Sequence, residues 1–276
     1  MSLSLSEQIM LATLQIEMLD GQLRQTGYAS GFIFNIPTNE DRIIPVLVTN
    51  RHVFEKCQKI RIIFTAKAND GEPHIGHVIP AILDASTSIF HPNPQIDLAV
   101  IPLMPTINAI MQKGTPPFYR ALDTALIPSK EEWGKLDAIE DVTMVGYPKG
   151  LRDKANNLPI FRRGITATHP AYDFQNEPKF LVDMACFPGS SGSPVFLLNK
   201  SSYTDKENNF YVGKSRVYLL GIQHAVPDIR ELGLLVNVNS DTSIRPLMQS
   251  FINLGVIIKS TELLAFIPIL NAKLRH

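Results

Sequence analysis

Twenty prolines are scattered through the 276 residues, among them Pro37, Pro45, Pro73, Pro80, Pro92, Pro94, Pro102 and Pro105. Each removes a backbone donor and fixes φ, so a chain punctuated this way builds short strands and turns rather than long helices. Between the breaks lie short runs rich in β-branched and aromatic residues, each bounded by turn formers. One series occupies 31–36, 43–49, 59–65, 77–83 and 97–103; a second occupies 141–146, 161–169, 179–184, 193–198, 215–224 and 232–238. The pattern predicts an all-β chain of two six-stranded antiparallel β-barrels with an N-terminal helix and C-terminal helices. Residues 4–20 read as the first helix, with Ser6 as cap and Ile9, Met10, Leu14 and Leu19 at helical spacing, and 241–252 as the closing helix. The expected organisation is a helix in 1–21, a first barrel in 22–115, a connection in 116–134, a second barrel in 135–240 and a helix and tail in 241–276.

Twenty-six basic residues balance twenty-six acidic ones. Zero formal charge provides no global attraction to nucleic acid or to an anionic membrane, and neither is expected as a partner. The apolar stretch 263–270 is interrupted by Pro268 and falls far short of the roughly 20 residues needed to cross a bilayer. Cys57 and Cys186 are the two cysteines, and the first positive charge, Arg24, follows Glu7, Glu17 and Asp20. With neither a disulfide framework nor a basic leader, a reducing cytoplasmic location is expected.

The sharpest local feature is Phe187-Pro188-Gly189-Ser190-Ser191-Gly192-Ser193-Pro194, followed at once by the apolar run 195–198. Small residues beside Ser191 let a carbonyl approach, and Gly189 permits a conformation in which successive N–H groups converge. Clusters of Gly, Ser and Pro also mark ordinary turns, so the segment needs a base to acquire meaning. Among seven histidines, His52 stands apart, in Leu47-Val48-Thr49-Asn50-Arg51-His52 at the end of an apolar strand. Asp97 leads the apolar run Leu98-Ala99-Val100-Ile101, where a buried carboxylate requires a donor. A metal site at His74, His77 and His91 is disfavoured because no His-Glu-Xaa-Xaa-His pattern accompanies them, so neither a metal nor another cofactor is expected. An α/β-hydrolase elbow is disfavoured because Ser193 replaces the final glycine and a strand follows where a helix should.

Together the three segments resemble the chymotrypsin-like (trypsin-like) serine peptidases over most of residues 22–252, with His, Asp and Ser in that family's order. Thr49-Asn50-Arg51-His52 is similar to its histidine run, Asp97-Leu98-Ala99 to its aspartate strand and Gly189 to Pro194 to its nucleophile run. Val145 to Gly150 resembles the strand and turn opening the second barrel in compact bacterial and organellar members. The resemblance implies a serine endopeptidase acting on protein or peptide substrates: Ser191 as nucleophile, His52 as base, Asp97 as orienter, and the N–H groups of Gly189 and Ser191 as the oxyanion hole. The alternative is a catalytically silent module of the same fold that binds a protein partner.

The same resemblance lays a substrate pocket on Ala185, Gln223, His224, Val226 and Gly233, in which an alanine floor and a neutral amide favour small or medium uncharged side chains. Should His224 turn inward instead, glutamate becomes acceptable. Ser190 stands where zymogen-forming relatives carry the aspartate that pairs with a new N-terminus, so control by a partner or by substrate is expected rather than N-terminal cleavage. The apolar tail 253–276 is expected to pack on the first barrel; docking to a regulatory protein, as in a bacterial defence complex, is its other reading.

Overall fold

The computed structural model describes residues 3–39, 42–225, 229–232, 247–250 and 253–273. A capping box opens α1 (Leu5–Ala12): Ser4 N–H donates to the Glu7 carboxylate at 2.7 Å, and Glu7 N–H donates back to Ser4 Oγ at 3.4 Å. The helix stops where the side chains begin to alternate, Leu14, Ile16 and Met18 against Thr13, Gln15 and Glu17, and the chain enters β1 (Thr13–Leu19). The helix expected over 4–20 is therefore half helix and half strand.

The first half continues through β2 (Gln25–Pro37), β3 (Ile43–Thr49), the short α2 (Arg51–Glu55), β4 (Lys59–Lys67), β5 (Pro73–Asp84), β6 (Ile89–Phe90) and β7 (Ala99–Pro102). Then come α3 (Met104–Met111), β8 (Pro117–Phe118), β9 (Leu122–Asp123) and α4 (Lys130–Lys135), so the expected irregular connection carries structure of its own. These strands form one sheet in the order β5-β4-β1-β2-β3-β7-β6, with β8 paired to β4 and β9 to β2. The sheet path does not return on itself, which corrects the expectation of a closed first barrel. β1 lies centrally, antiparallel to both β2 and β4, and Glu17, opposite Arg61 in register, accepts from its guanidinium at 2.7 Å.

The second half contains β10 (Asp141–Gly146), β11 (Ile160–Thr166), β12 (Lys179–Asp183), β13 (Pro194–Asn199), the hairpin β14 (Ser202–Thr204) and β15 (Phe210–Val212), and β16 (Arg216–Ala225). β17 (Ile229–Leu232) and β18 (Leu247–Ser250) pair with each other, and β19 (Leu254–Lys259) precedes a 3-10 turn and α5 (Phe266–Lys273). Six of these strands close a barrel in the order β10-β11-β12-β19-β16-β13. Its last strand is thus 254–259, part of the presumed tail. Residues 247–250 of the expected closing helix are strand, while 233–238 and most of 241–252 lie outside the described residues.

Strands buried on both faces explain the unbroken apolar runs. Phe32, Phe34, Val46 and Val48 face a core shared between the halves with Val145, Phe196, Ile222 and Ile258. Ile33 and Leu47, on the opposite face of the same strands, pack with Ile16, Ile60, Ile62 and Phe64 inside the first half. Leu263, Phe266 and Leu270 seal the shared core, so these side chains of the tail lie inside the protein, while Leu264 faces out. Among the described residues no helix is long and apolar enough to cross a membrane.

Candidate active site

Ser30, fully buried on β2, joins the two halves. Its N–H donates to Ser191 O at 2.9 Å, its hydroxyl donates to Gly189 O at 2.9 Å and accepts from Tyr147 N–H at 2.8 Å, and its carbonyl accepts from Thr49 Oγ1 at 2.8 Å. The nucleophile turn 187–193 therefore hangs on a residue of the first sheet. Gly189 adopts φ +90°, and a Cβ there would lie 2.9 Å from Tyr147 O and 2.8 Å from Lys149 N, so a side chain is excluded twice over. Gly192, at φ +84°, would strike Ser30 O and Thr49 Oγ1.

Lys149 N–H donates to Pro188 O at 2.7 Å. In a trans peptide the C=O and the following N–H point in opposite directions, so this bond aims the Gly189 N–H away from Lys149. Among the described residues neither Gly189 N–H nor Ser191 N–H has an acceptor within the protein, which leaves both able to receive an oxyanion.

His52 does not sit on the strand itself; β3 ends at Thr49 and the ring projects from α2. Asp97 lies in the turn before β7, and Asn50 Nδ2 donates to its carbonyl at 2.9 Å. The carboxylate is engaged from both oxygens: Oδ1 accepts from His52 N–H at 2.9 Å, and Oδ2 lies 2.6 Å from His52 Nδ1. A second ring, His224, brings its Nδ1 within 2.7 Å of the same Oδ2. Burial pushes the Asp97 carboxyl up, but hydrogen bonds from His224 and His52 outweigh it and hold the group well below the ordinary carboxylate range. An ionised Asp97 takes the Nδ1 proton of His52 as a donor and leaves Nε2 as the acceptor. The His52 side chain is 30% exposed and can meet a substrate; Asp97, at 16%, is largely screened.

Ser191 Oγ donates weakly to His224 O at 3.5 Å, and among the described residues it makes no hydrogen bond to His52. Such contacts are commonly loose before substrate arrives. Ser190 is buried, and among the described residues its hydroxyl has no hydrogen-bond partner.

Ala185 is exposed and its carbonyl accepts from the Arg162 guanidinium; Gln223 is buried, with its amide oxygen 3.4 Å from Cys186 Sγ. The His224 ring is on Asp97 rather than in a side-chain pocket, and Val226 and Gly233 lie outside the described residues. Sequence reading missed Ser30, a small polar residue at the head of an apolar run with no signal of its own. It also missed the Asp97 contact of His224, which spans 127 residues. His52, Asp97 and His224 place their ligand atoms within 4.8 Å of one another and could hold a cation, although both Nδ1 atoms already face Asp97. His74 and His77 stack with ring centroids 3.5 Å apart on the β5 strand, while His91 is buried 3.5 Å from Glu262.

In sequence, residues 29–201 match the family described as a trypsin-like peptidase domain. No curated protein matches the chain in sequence. Among solved structures, the active form of the Rv3671c protease from M. tuberculosis aligns at 13% identity and a TM-score of 0.44, over 92% of this chain and 78% of its own. A structure described as HL collagenase aligns at 12% identity and a TM-score of 0.46, over 97% of this chain and 94% of its own.

Proposed function

Because the chain belongs to the trypsin-like peptidase family, we propose that it is a serine endopeptidase with Ser191 as nucleophile, His52 as general base and Asp97 as the group that orients and charges the base. The observation that carries this reading is the two-point grip of Asp97 on His52, at 2.9 Å to its backbone and 2.6 Å to its ring.

As Ser191 Oγ forms its bond to the substrate carbonyl, its proton passes to His52 Nε2, and the new positive charge faces an already ionised Asp97. The tetrahedral oxyanion is received by the N–H groups of Gly189 and Ser191, each contributing about 3 kcal/mol to transition-state stabilisation in sites of this kind. Collapse breaks the C–N bond, the amine leaves with the Nε2 proton, and water repeats the sequence on the acyl-enzyme.

Activation by N-terminal cutting is not part of this reading. Ser190 has no charge to pair with a new ammonium, and Thr13–Leu19 is a central strand that cutting would remove. Substrate or a protein partner supplies the control. The silent-module reading draws on the hydroxyl of Ser191 facing His224 O rather than His52. A fluorophosphonate probe separates the two: covalent labelling of wild type at Ser191, lost in Ser191→Ala, supports the peptidase, and an unlabelled wild-type serine supports the module.

A further inference from the structure

A cavity of about 490 Å³ opens beside the nucleophile turn, walled by Tyr28, Leu151 and Phe187 and rimmed by Lys149, Arg152, Lys154 and Arg162. Four cations meet there in a chain whose formal charge is zero. Among the described residues no acid lines the cavity and none of the four cations is ion-paired. The nearest acid in sequence, Asp153, spends its carboxylate on Ala155 N–H at 3.0 Å and on Asn156 Nδ2 at 2.6 Å. Lys149 Nζ and Arg162 Cζ lie 5.3 and 4.7 Å from the Phe187 ring centroid, so one aromatic ring of the nucleophile turn carries two cations. Burial lowers the Arg162 guanidinium below its ordinary value, the sign of a cation short of solvent.

The rim is held in place. Lys149 sits at φ 51° in a turn whose Gly150 carbonyl accepts from Gln15 Nε2 at 2.8 Å, and a Cβ on Gly150 would strike the Tyr28 ring at 2.6 Å. Lys149 N–H holds Pro188 O at 2.7 Å, so a residue of the cavity rim is hydrogen-bonded to the peptide unit that carries the Gly189 N–H. Phe187, four residues before Ser191, lines the cavity, so a polypeptide whose scissile carbonyl reaches Ser191 brings its flanking residues close to it. Its aromatic and aliphatic walls suit the stem of a side chain, and guanidinium forks suit a carboxylate head.

We propose that this cavity is a recognition site for acidic side chains, Asp or Glu, within a few residues of the bond that is cut. The proposal rests on the peptidase reading for its position relative to the cut, and on the cavity alone for its charge selectivity. An extended anion such as nucleic acid fits less well, because the charge is confined to one cavity and the whole chain is neutral.

The test has a cleavage arm and a binding arm. Peptides scanned with Glu, Gln and Lys at each of the positions flanking the cut should show one position where Glu exceeds Gln in kcat/KM by about fivefold to tenfold, the size of one or two partly screened charge contacts. The ratio should shrink between about 0.05 and 0.5 M NaCl. Arg152→Gln and Lys154→Glu should each move the Glu-to-Gln ratio towards one. In the binding arm, anisotropy with Ser191→Ala protein should show a labelled Glu peptide bound more tightly than its Gln twin. Charge-selective binding without cleavage upholds the cavity and overturns the peptidase. Cleavage with equal rates for Glu and Gln at every position, or displacement of the peptide by a short DNA oligonucleotide at lower concentration than by unlabelled Glu peptide, overturns the cavity assignment.

Discussion

His224 brings its Nδ1 to 2.7 Å from Asp97 Oδ2, the oxygen that also serves His52. A carboxylate shared this way is charged more firmly than one ring could make it, at the cost of offering the His52 ring a shared oxygen while Oδ1 serves the His52 backbone. Replacing His224 by Ala removes one hydrogen bond to an ion, worth about 1.5–3 kcal/mol. The expected result is a fall in kcat of about tenfold with KM little changed, and His224→Ser, which keeps a donor, should recover part of the loss. Steady-state kinetics on a peptide amide measures both.

The triad itself should behave as one unit. Ser191→Ala and His52→Ala are expected to lower kcat by about 10⁴-fold or more, Asp97→Asn by about as much through the wrong His52 tautomer, and the double substitutions by little further. Full turnover in Ser191→Ala would end the assignment. Treatment with a chelator should leave turnover unchanged, because proton transfer by His52, oriented by an ionised Asp97, requires no metal.

Burial pushes the Cys186 thiol up to about 11 and also raises Cys57. A raised value means the reactive thiolate is scarce at neutral pH and appears only as pH climbs towards it. Native protein at pH 8 should therefore react slowly with a disulfide reagent, whereas unfolded protein should release two thiols at once. A fast, stoichiometric burst from the native state would contradict the placement of Cys186 under Gln223.

Glu140 and Arg216 form a bidentate pair, 3.0 and 2.6 Å, with both side chains nearly sealed from solvent. They tie the lead-in to β10 to the start of β16. Removing one partner strands the other, so Glu140→Ala should cost about 3–5 kcal/mol, visible as a large drop in denaturation midpoint. Replacing both with apolar residues should cost much less.

Much of this architecture was legible where strands are buried on both faces. The run 43–49 coincides with Ile43–Thr49, rich in β-branched residues, and 141–146 with Asp141–Gly146, where Asp141 and Thr143 alternate with the buried Val142 and Met144. Thr13–Leu19 is not, since Gln15, Glu17 and Met18 favour helix intrinsically and continue without a break from a helix opened by a true capping box; only the period-two alternation points to a strand. The strand Leu254–Lys259 carries its signal in Gly255-Val256-Ile257-Ile258, obscured because the run 232–238 already supplies a sixth strand to the barrel. Within the site, His52, Asp97 and Ser191 each announce themselves in local motifs. Ser30, the His224 contact and the basic rim exist only after folding, and no local pattern encodes them.

The C-terminal segment gives the remaining prediction. β19 pairs with β12 on one side and β16 on the other, in register from Lys179 with Ile258 to Gly221 with Lys259. A chain ending at residue 252 leaves both neighbours with unpaired backbone groups and opens the barrel, so it should be insoluble. A chain ending at Lys259 keeps the barrel but loses Leu263, Phe266 and Leu270 from the shared core. At about 1.5–3 kcal/mol for each fully buried apolar side chain, that loss rivals the whole stability of a typical domain, and this chain too should fail to fold. Phe266→Ala is the milder probe: a loss of about 3–5 kcal/mol should leave a folded protein with a clearly lower melting temperature. A soluble, active protein lacking 253–276 would show instead that this segment is an appendage, free to engage a partner.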